Sequence, residues 1–235
     1  MDLTEATWTD AEAADTSLAV LPVGSTEQHG PHAPLGTDAL SADAVARAGV
    51  DAYEEDVVVG PAIPVGVAEE HRHFAGTLWV SEDTFRAYVR ETIRSLASHG
   101  WDRVVVVNGH GGNTAALREL CGRVTRDGDA YAVPFTWFDA IDPDDVDMGH
   151  AGAMETSLLR HVHPDLVDED RIEDAREGAA DGWGEWQSGT NLAYDTASFA
   201  ENGVVGDPGD SSAEIGEQLL DAAADALADL LGAVA

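Results

Sequence analysis

Glu27, His29, His32 and Asp38 crowd into one short segment, LAVLPVGSTEQHGPHAPLGTD at positions 18–38. Carboxylates and imidazoles gathered just past an apolar run are the donors a hydrolytic metal centre needs. Glu27 and His29 stand two apart, so in an extended segment their side chains leave the same face and reach one cavity. Asp38 opens a helical pattern, where the positive end of the helix dipole favours the ionised carboxylate. Its two oxygens give it the means to bridge two cations. The competing reading is a solvated acidic loop, common in so acidic a chain.

Two further clusters carry similar chemistry. In NGHGGN at 108–113, glycines flank His110 and permit positive φ and close approach of a ligand to the backbone. The alternative is a tight turn in which His110 is incidental. In MGHAGAME at 148–155, His150 lies near a helix start and Glu155 just over one turn on. A satisfied N-terminal histidine and an exposed glutamate would explain that pair equally simply. Three such clusters, two of them sited after strands, favour metal binding over the blander readings.

The elements that position them follow from pattern. Residues 1–17 read as a short lead-in helix. The apolar run 18–21 reads as a buried strand that breaks at Pro22 and Gly24. A helix follows over 38–54, with Thr37 placed to cap it. Val57, Val58 and Val59 form a second strand, and 61–77, broken by Pro and Gly, is loop or irregular edge. Ser81 starts a helix through about Ser98, with Phe85, Val89, Ile93 and Leu96 at helical spacing and Gly100 as its stop. The run 103–107 is the strongest strand, suited to a parallel position covered on both faces. It leads through NGHGGN into a helix to about Arg126. A strand at 131–133, a long loop over 134–149 and a helix over 151–161 come next. Residues 165–210 show little periodicity and hold Trp183 and Trp186 between glycines; 211–233 is a helix capped by Ser211 or Ser212.

This alternation predicts a single α/β domain over 1–235, a mostly parallel sheet sandwiched by helices. Right-handed crossovers put the carboxyl ends of the strands on one edge, where α/β proteins bind ligands. The first two clusters therefore meet there.

The chain of 235 residues carries 45 acidic and 12 basic residues, a formal net charge of -33, and every basic residue is Arg. Acid excess without Lys fits a protein built for a high-salt cytoplasm, where self-repulsion is screened. The same charge argues against a nucleic-acid partner. The lone Cys121, inside a helical stretch, reads as an inert core thiol. The first residues lack the pattern of a signal peptide, and no apolar run approaches the ~18–20 residues of a membrane span. A cytoplasmic protein with no membrane partner is the expectation.

Taken together, LPVGSTEQHGPHAPLGTD, the FAGT of 74–77, NGHGGN, HAGAMETS and GVVGDPGDSSAEIGE resemble the creatininase (creatinine amidohydrolase) family, in order from about 18 to 217. The resemblance implies a three-layer α/β/α fold, two divalent metal ions per subunit (Zn²⁺, Mn²⁺ or Fe²⁺) and hydrolysis of non-peptide C–N amide bonds in a small-molecule substrate. It also implies a homo-oligomer, often a hexamer. Glu27 and His110 would bind one metal, His29 and Glu155 the other, with Asp38 bridging and His150 as catalytic histidine.

One departure stands out. The creatinine-hydrolysing members carry His-x-Glu in the middle motif, whereas Gly112 stands at the Glu position here. The NGHGGN form is more similar to other branches. One is the archaeal deformylase of the riboflavin and deazaflavin pathway, which acts on a formylamino-pyrimidine ribonucleotide; another trims a peptide in mycofactocin maturation. The deformylase is the expected activity, with creatinine hydrolysis or a silent, oligomeric, small-molecule-binding homologue as alternatives. A silent homologue would be expected to lose one of the five ligands, and all five are present. Around this core, His32 is expected behind the ligands. His71, His73, Trp183 and Trp186 are candidates for the pocket wall, each with a structural role as the alternative.

Overall fold

The structure, a computed structural model, describes residues 1–141 and 148–235. Four parallel strands form its sheet: β1 (Leu18–Val23), β2 (Val58–Val59), β3 (Arg103–Asn108) and β4 (Tyr131–Thr136), in the order β2-β1-β3-β4. The helices are α1 (Trp8–Glu12), α2 (Thr37–Ala52), α3 (Glu82–Ser98), α4 (Thr114–Asp127), α5 (Ala153–Val162), α6 (Ile172–Glu177) and α7 (Ala213–Val234). A small antiparallel hairpin, β5 (Trp186–Gln187) and β6 (Thr190–Asn191), stands apart from the sheet.

Strand alternation builds two cores. Ala19, Leu21, Val104 and Val106 face one way and pack with Phe85, Val89 and Ile93 of α3 and Leu117, Leu120 and Val124 of α4. Leu18, Val20, Val105 and Val107 face the other way and meet Val45 of α2, Leu158 of α5 and Leu219, Leu227 and Leu231 of α7. The fold is therefore the expected single α/β domain with helices on both faces of a parallel sheet. From β1 the chain first passes over one face to β2, then crosses the other face to β3 beside β1. The strand order thus reverses between β1 and β3, and a crevice opens beyond their carboxyl ends. Cys121 is buried within the first core, and burial pushes its thiol up to about 12.

Several boundaries differ from the expectation. β1 does not stop at Pro22 but runs through it to Val23, in register with β3 as far as Asn108. The missing N–H faces the β2 side, where the partner has already become irregular; the Pro22 carbonyl still accepts from Ile63 N–H at 3.0 Å. β4 extends through Pro134 to Thr136, which an edge strand tolerates. Of the loop expected over 134–149, residues 142–147 lie outside the described residues. Thr37 does not cap α2: Gly36 is the cap residue, and the Thr37 hydroxyl donates to the Pro34 carbonyl at 2.7 Å. Ser81 and Ser212 do cap α3 and α7, accepting from Thr84 and Ile215 N–H. The stretch 165–210 is a chain of short turns, α6 and the hairpin. Among the described residues no helix is long and apolar enough to cross a membrane.

Candidate active site

The loops after β1 and β3 clasp the start of α2. A Cβ on Gly24 would lie 2.4 Å from Ala39 N, and one on Gly109 would lie 2.1 Å from the Asp38 carbonyl oxygen. Only bare backbone lets these loops approach so closely, and that approach carries Asp38 into the crevice. Thr77 of FAGT accepts from the Gln28 N–H at 3.1 Å, and Leu78 N–H donates to the Thr26 carbonyl at 2.8 Å, so that motif pins the first loop. Val205 of GVVGDPG pairs with the His150 backbone in both directions at 2.9 Å. Ala151, at a left-handed φ of 53°, turns the chain into α5 and gives its N–H to Glu155 Oε2. The other Glu155 oxygen is left to face His29.

All five residues expected as ligands converge there. Asp38 lies centrally: Oδ1 is 3.1 Å from His29 Nε2 and Oδ2 is 3.2 Å from His110 Nδ1. Glu27 Oε2 lies 3.2 Å from His110 Nε2, and Glu155 Oε1 lies 3.7 Å from His29 Nε2. Glu27, Asp38 and His110 form one compact donor group, and His29, His150 and Glu155 another. His29 and His110 are each oriented by a backbone carbonyl, which can only accept. His29 Nδ1–H therefore donates to Glu27 O at 3.2 Å and leaves Nε2 free; His110 Nε2–H donates to Val67 O at 2.6 Å and leaves Nδ1 free. Such carbonyl partners fix the tautomer of metal-binding histidines.

The site carries uncompensated polarity. Glu27 Oε1 and Oε2, His29 Nε2 and Asp38 Oδ2 are buried and make no hydrogen bond among the described residues. Each such atom costs about 1–3 kcal/mol, and three carboxylate oxygens turned inward favour a cation. Burial opposes charge on His29, yet Asp38 and Glu155 raise it well above the usual histidine range. Burial likewise opposes His110, and Glu27 and Asp38 raise it. Burial pushes the Asp38 carboxyl up, but His29 and His110 hold it well below the usual carboxylate range. Divalent ions fit this donor set of buried imidazole nitrogens and carboxylate oxygens.

His150 differs from these. Its Nε2–H donates to the Gln28 carbonyl at 2.8 Å, leaving Nδ1 directed inward, 3.8 Å from Glu27 Oε1. Burial, then His29, lowers its pKa, which favours the neutral ring with Nδ1 as its unprotonated nitrogen. Gln28 also binds through its side chain: the amide donates to Gly203 O at 3.0 Å and to His71 Nδ1 at 2.9 Å, while Oε1 accepts from Gly30 N–H. His71 stacks on His150 with ring centroids 4.4 Å apart and points Nε2 at Glu27 Oε1, 3.4 Å away. Burial, then His150, holds His71 neutral. His32 sits behind, Nε2 at 2.9 Å from Thr156 Oγ1, its pKa lowered to about 4 by burial and by His29.

A cavity of about 600 Å³ opens over the cluster, bordered by His71, His110, His150, Glu155, Trp183 and Glu70 among others. Trp183 stands edge-on to both His71 and His150, at 5.8 and 6.0 Å. His73 is instead exposed beside Asp195, and Trp186 stands outside the lining with its ring N–H on the Trp183 carbonyl. Three participants escaped the sequence: Gln28, Glu70 and Asp181. Strand periodicity turns Gln28 away from its neighbours, but the loop curls and buries it; only its place between Glu27 and His29 hinted at a role. Gly112 proves unable to carry a side chain, since a Cβ there would lie 2.2 Å from Val67 O and 2.5 Å from His110 Nε2. The carboxylate beside that point belongs to Glu70, with Oε1 3.0 Å away.

A doubly covered parallel sheet with buried histidines and carboxylates at its strand-order reversal defines the class, an α/β protein with a candidate metal centre at its sheet edge. Residues 4–231 match the Creatininase family, described as creatinine amidohydrolase. The mycofactocin precursor peptide peptidase of Mycolicibacterium smegmatis is 37% identical over 208 residues, 86% of this chain and 79% of that protein. The creatinine amidohydrolase of Pseudomonas putida is 33% identical over 198 residues, 72% and 75% of the two chains. A structure of creatininase described as its Mn form superposes with a TM-score of 0.81 at 27% identity, covering 97% of this chain and 96% of that one. The chain belongs to the creatininase family and is a metal-dependent amidohydrolase.

Proposed function

We propose a two-metal centre in which Glu27, Asp38 and His110 hold one divalent ion and His29, Asp38 and Glu155 the other, with His150 moving the proton. The buried, unpartnered oxygens and nitrogen of Glu27, Asp38 and His29 carry this reading. Bound divalent ions supply carbonyl polarisation and a nucleophilic hydroxide near neutral pH. His150 Nδ1, neutral and directed inward, takes the proton released by the attacking water and returns it to the leaving nitrogen. Gln28 keeps the other ring nitrogen protonated and the ring in place. Trp183 and His71 wall the cavity and exclude water. Mn²⁺, Zn²⁺ and Fe²⁺ all suit the mixed oxygen and nitrogen donors.

The scissile bond is an amide, formamide or cyclic amide C–N bond. Within that class the sequence points to deformylation of a formylamino-pyrimidine ribonucleotide, and the mycobacterial relatives point to a peptide amide. Among the described residues the cavity lining holds no Arg side chain, which favours the latter over the phosphorylated substrate. The test is a panel of a formamide, a cyclic amide, creatinine and a short peptide, each offered with Mn²⁺, Zn²⁺ or Fe²⁺. Metal-dependent hydrolysis of at least one, abolished by a chelator, is expected; none at all would mean a silent homologue.

A cytoplasmic homo-oligomer, with a hexamer favoured, is the proposed assembly. Exposed Trp186, Leu192 and Tyr194 around the hairpin offer apolar surface for it to cover. High-salt adaptation is proposed from the charge of -33. Salt screens repulsion among the excess carboxylates, so the melting temperature should rise steeply from low salt to molar KCl. Equal melting temperatures at the two ends would contradict the adaptation.

A further inference from the structure

We propose that the cavity selects an amide substrate whose far end is uncharged or cationic, and that Glu70 receives that end. The inference rests on the amidohydrolase reading above and names its substrate class. The chain has no Lys, so its only permanent cations are 12 Arg. None of them lines the cavity. Most are held elsewhere by carboxylates, as Arg72 is by Asp195, Arg118 by Asp139, Arg160 by Glu169 and Arg176 by Asp207. Residues 142–147 contribute acids and no base to the sequence. A phosphate or carboxylate on the substrate would thus find no Arg fork from this chain, the usual partner of such groups.

The lining is instead acidic and aromatic. Glu70 and Asp181 border the cavity with Glu155. Glu70 is partly buried, its Oε1 shares the space beside Gly112 with His110 Nε2, and no Arg pairs with it among the described residues. Because Val67 O leaves no room for a side chain at Gly112, that position adds no side chain between Glu70 Oε1 and the cavity they both border. Trp183 adds an indole, the best aromatic surface for a cation. An ammonium, guanidinium or N–H donor would satisfy both.

Three hydroxamates of similar size test this, because each can chelate a divalent centre and they differ only at the far end. β-Alanine hydroxamate is cationic, propionohydroxamate neutral and succinic monohydroxamate anionic. Binding to the Mn²⁺-loaded full-length protein would be measured by calorimetry in molar KCl. The expected order is cationic, then neutral, then anionic, with about tenfold or more between the extremes, as for hydrogen bonds to charged groups. Glu70→Gln should narrow that spread by about tenfold while keeping the metal content and melting temperature of the wild type. Asp181→Asn, at the exposed side, should narrow it less. Equal affinities in the wild type would overturn charge selection while leaving the metal centre standing. Metal loss in Glu70→Gln would make Glu70 a ligand, and an equal effect of Asp181→Asn would make the preference a diffuse field; either overturns the role of Glu70. If none of the three binds, the metal centre itself falls and the proposal with it.

Discussion

Asp38→Ala should empty the centre and reduce hydrolysis to background. Asp38 is 1% exposed and its two oxygens reach His29 and His110, which come from the separate loops after β1 and β3. Among the described residues no other carboxylate reaches both. Loss of an outer-shell partner alone costs about 10–100-fold in metal affinity, so loss of a bridging ligand should exceed that. The deletion also strips His29 and His110 of their shared counter-charge, and breaking such a buried pair costs about 3–5 kcal/mol. Asp38→Asn keeps the volume and separates the two effects. It should fold more stably than the alanine variant and still bind metal poorly. Metal content of the Asn variant equal to wild type would show that Asp38 does not bridge.

His150→Ala should behave in the opposite way, keeping its metals and its fold while losing most turnover. Its inward Nδ1 is a proton carrier in this account, and general acid–base groups contribute ~10²–10⁴-fold. His150 is held from outside the ligand set, its ring by the Gln28 carbonyl and its backbone by Val205. Its removal therefore leaves Glu27, His29, Asp38, His110 and Glu155 in place. Metal content and kcat would be measured side by side. Loss of metal would make His150 a ligand, as its grouping with His29 and Glu155 allows. Full turnover would transfer the proton to another group, with His71 at 3.4 Å from Glu27 the next candidate.

The two variants probe what the sequence made legible. The apolar runs of β1 and β3, and the glycines that follow them, are local signals. They sufficed to place Glu27, His29, Asp38 and His110 at one sheet edge, and the motif around Glu155 joined them by resemblance. What stayed hidden depends on contacts made far along the chain. Gln28 acquires its role from His71, His150 and Gly203, and Glu70 from the bare backbone of Gly112. Pro22 lies within β1 because its missing donor faces a partner that has already turned away. Thr37 fails as a cap because Pro34 offers its hydroxyl a nearer carbonyl. α6 is too short for periodicity to announce it.

The wild-type arm of the Asp38 comparison tests the central claim most directly: metal per chain, by elemental analysis of protein purified in high salt. Two divalent ions per chain, held through dialysis and removed together with activity by a chelator, are the predicted result. Chelator-resistant hydrolysis by a metal-free chain would contradict the two-metal account. So would a single tightly held ion sustaining full turnover.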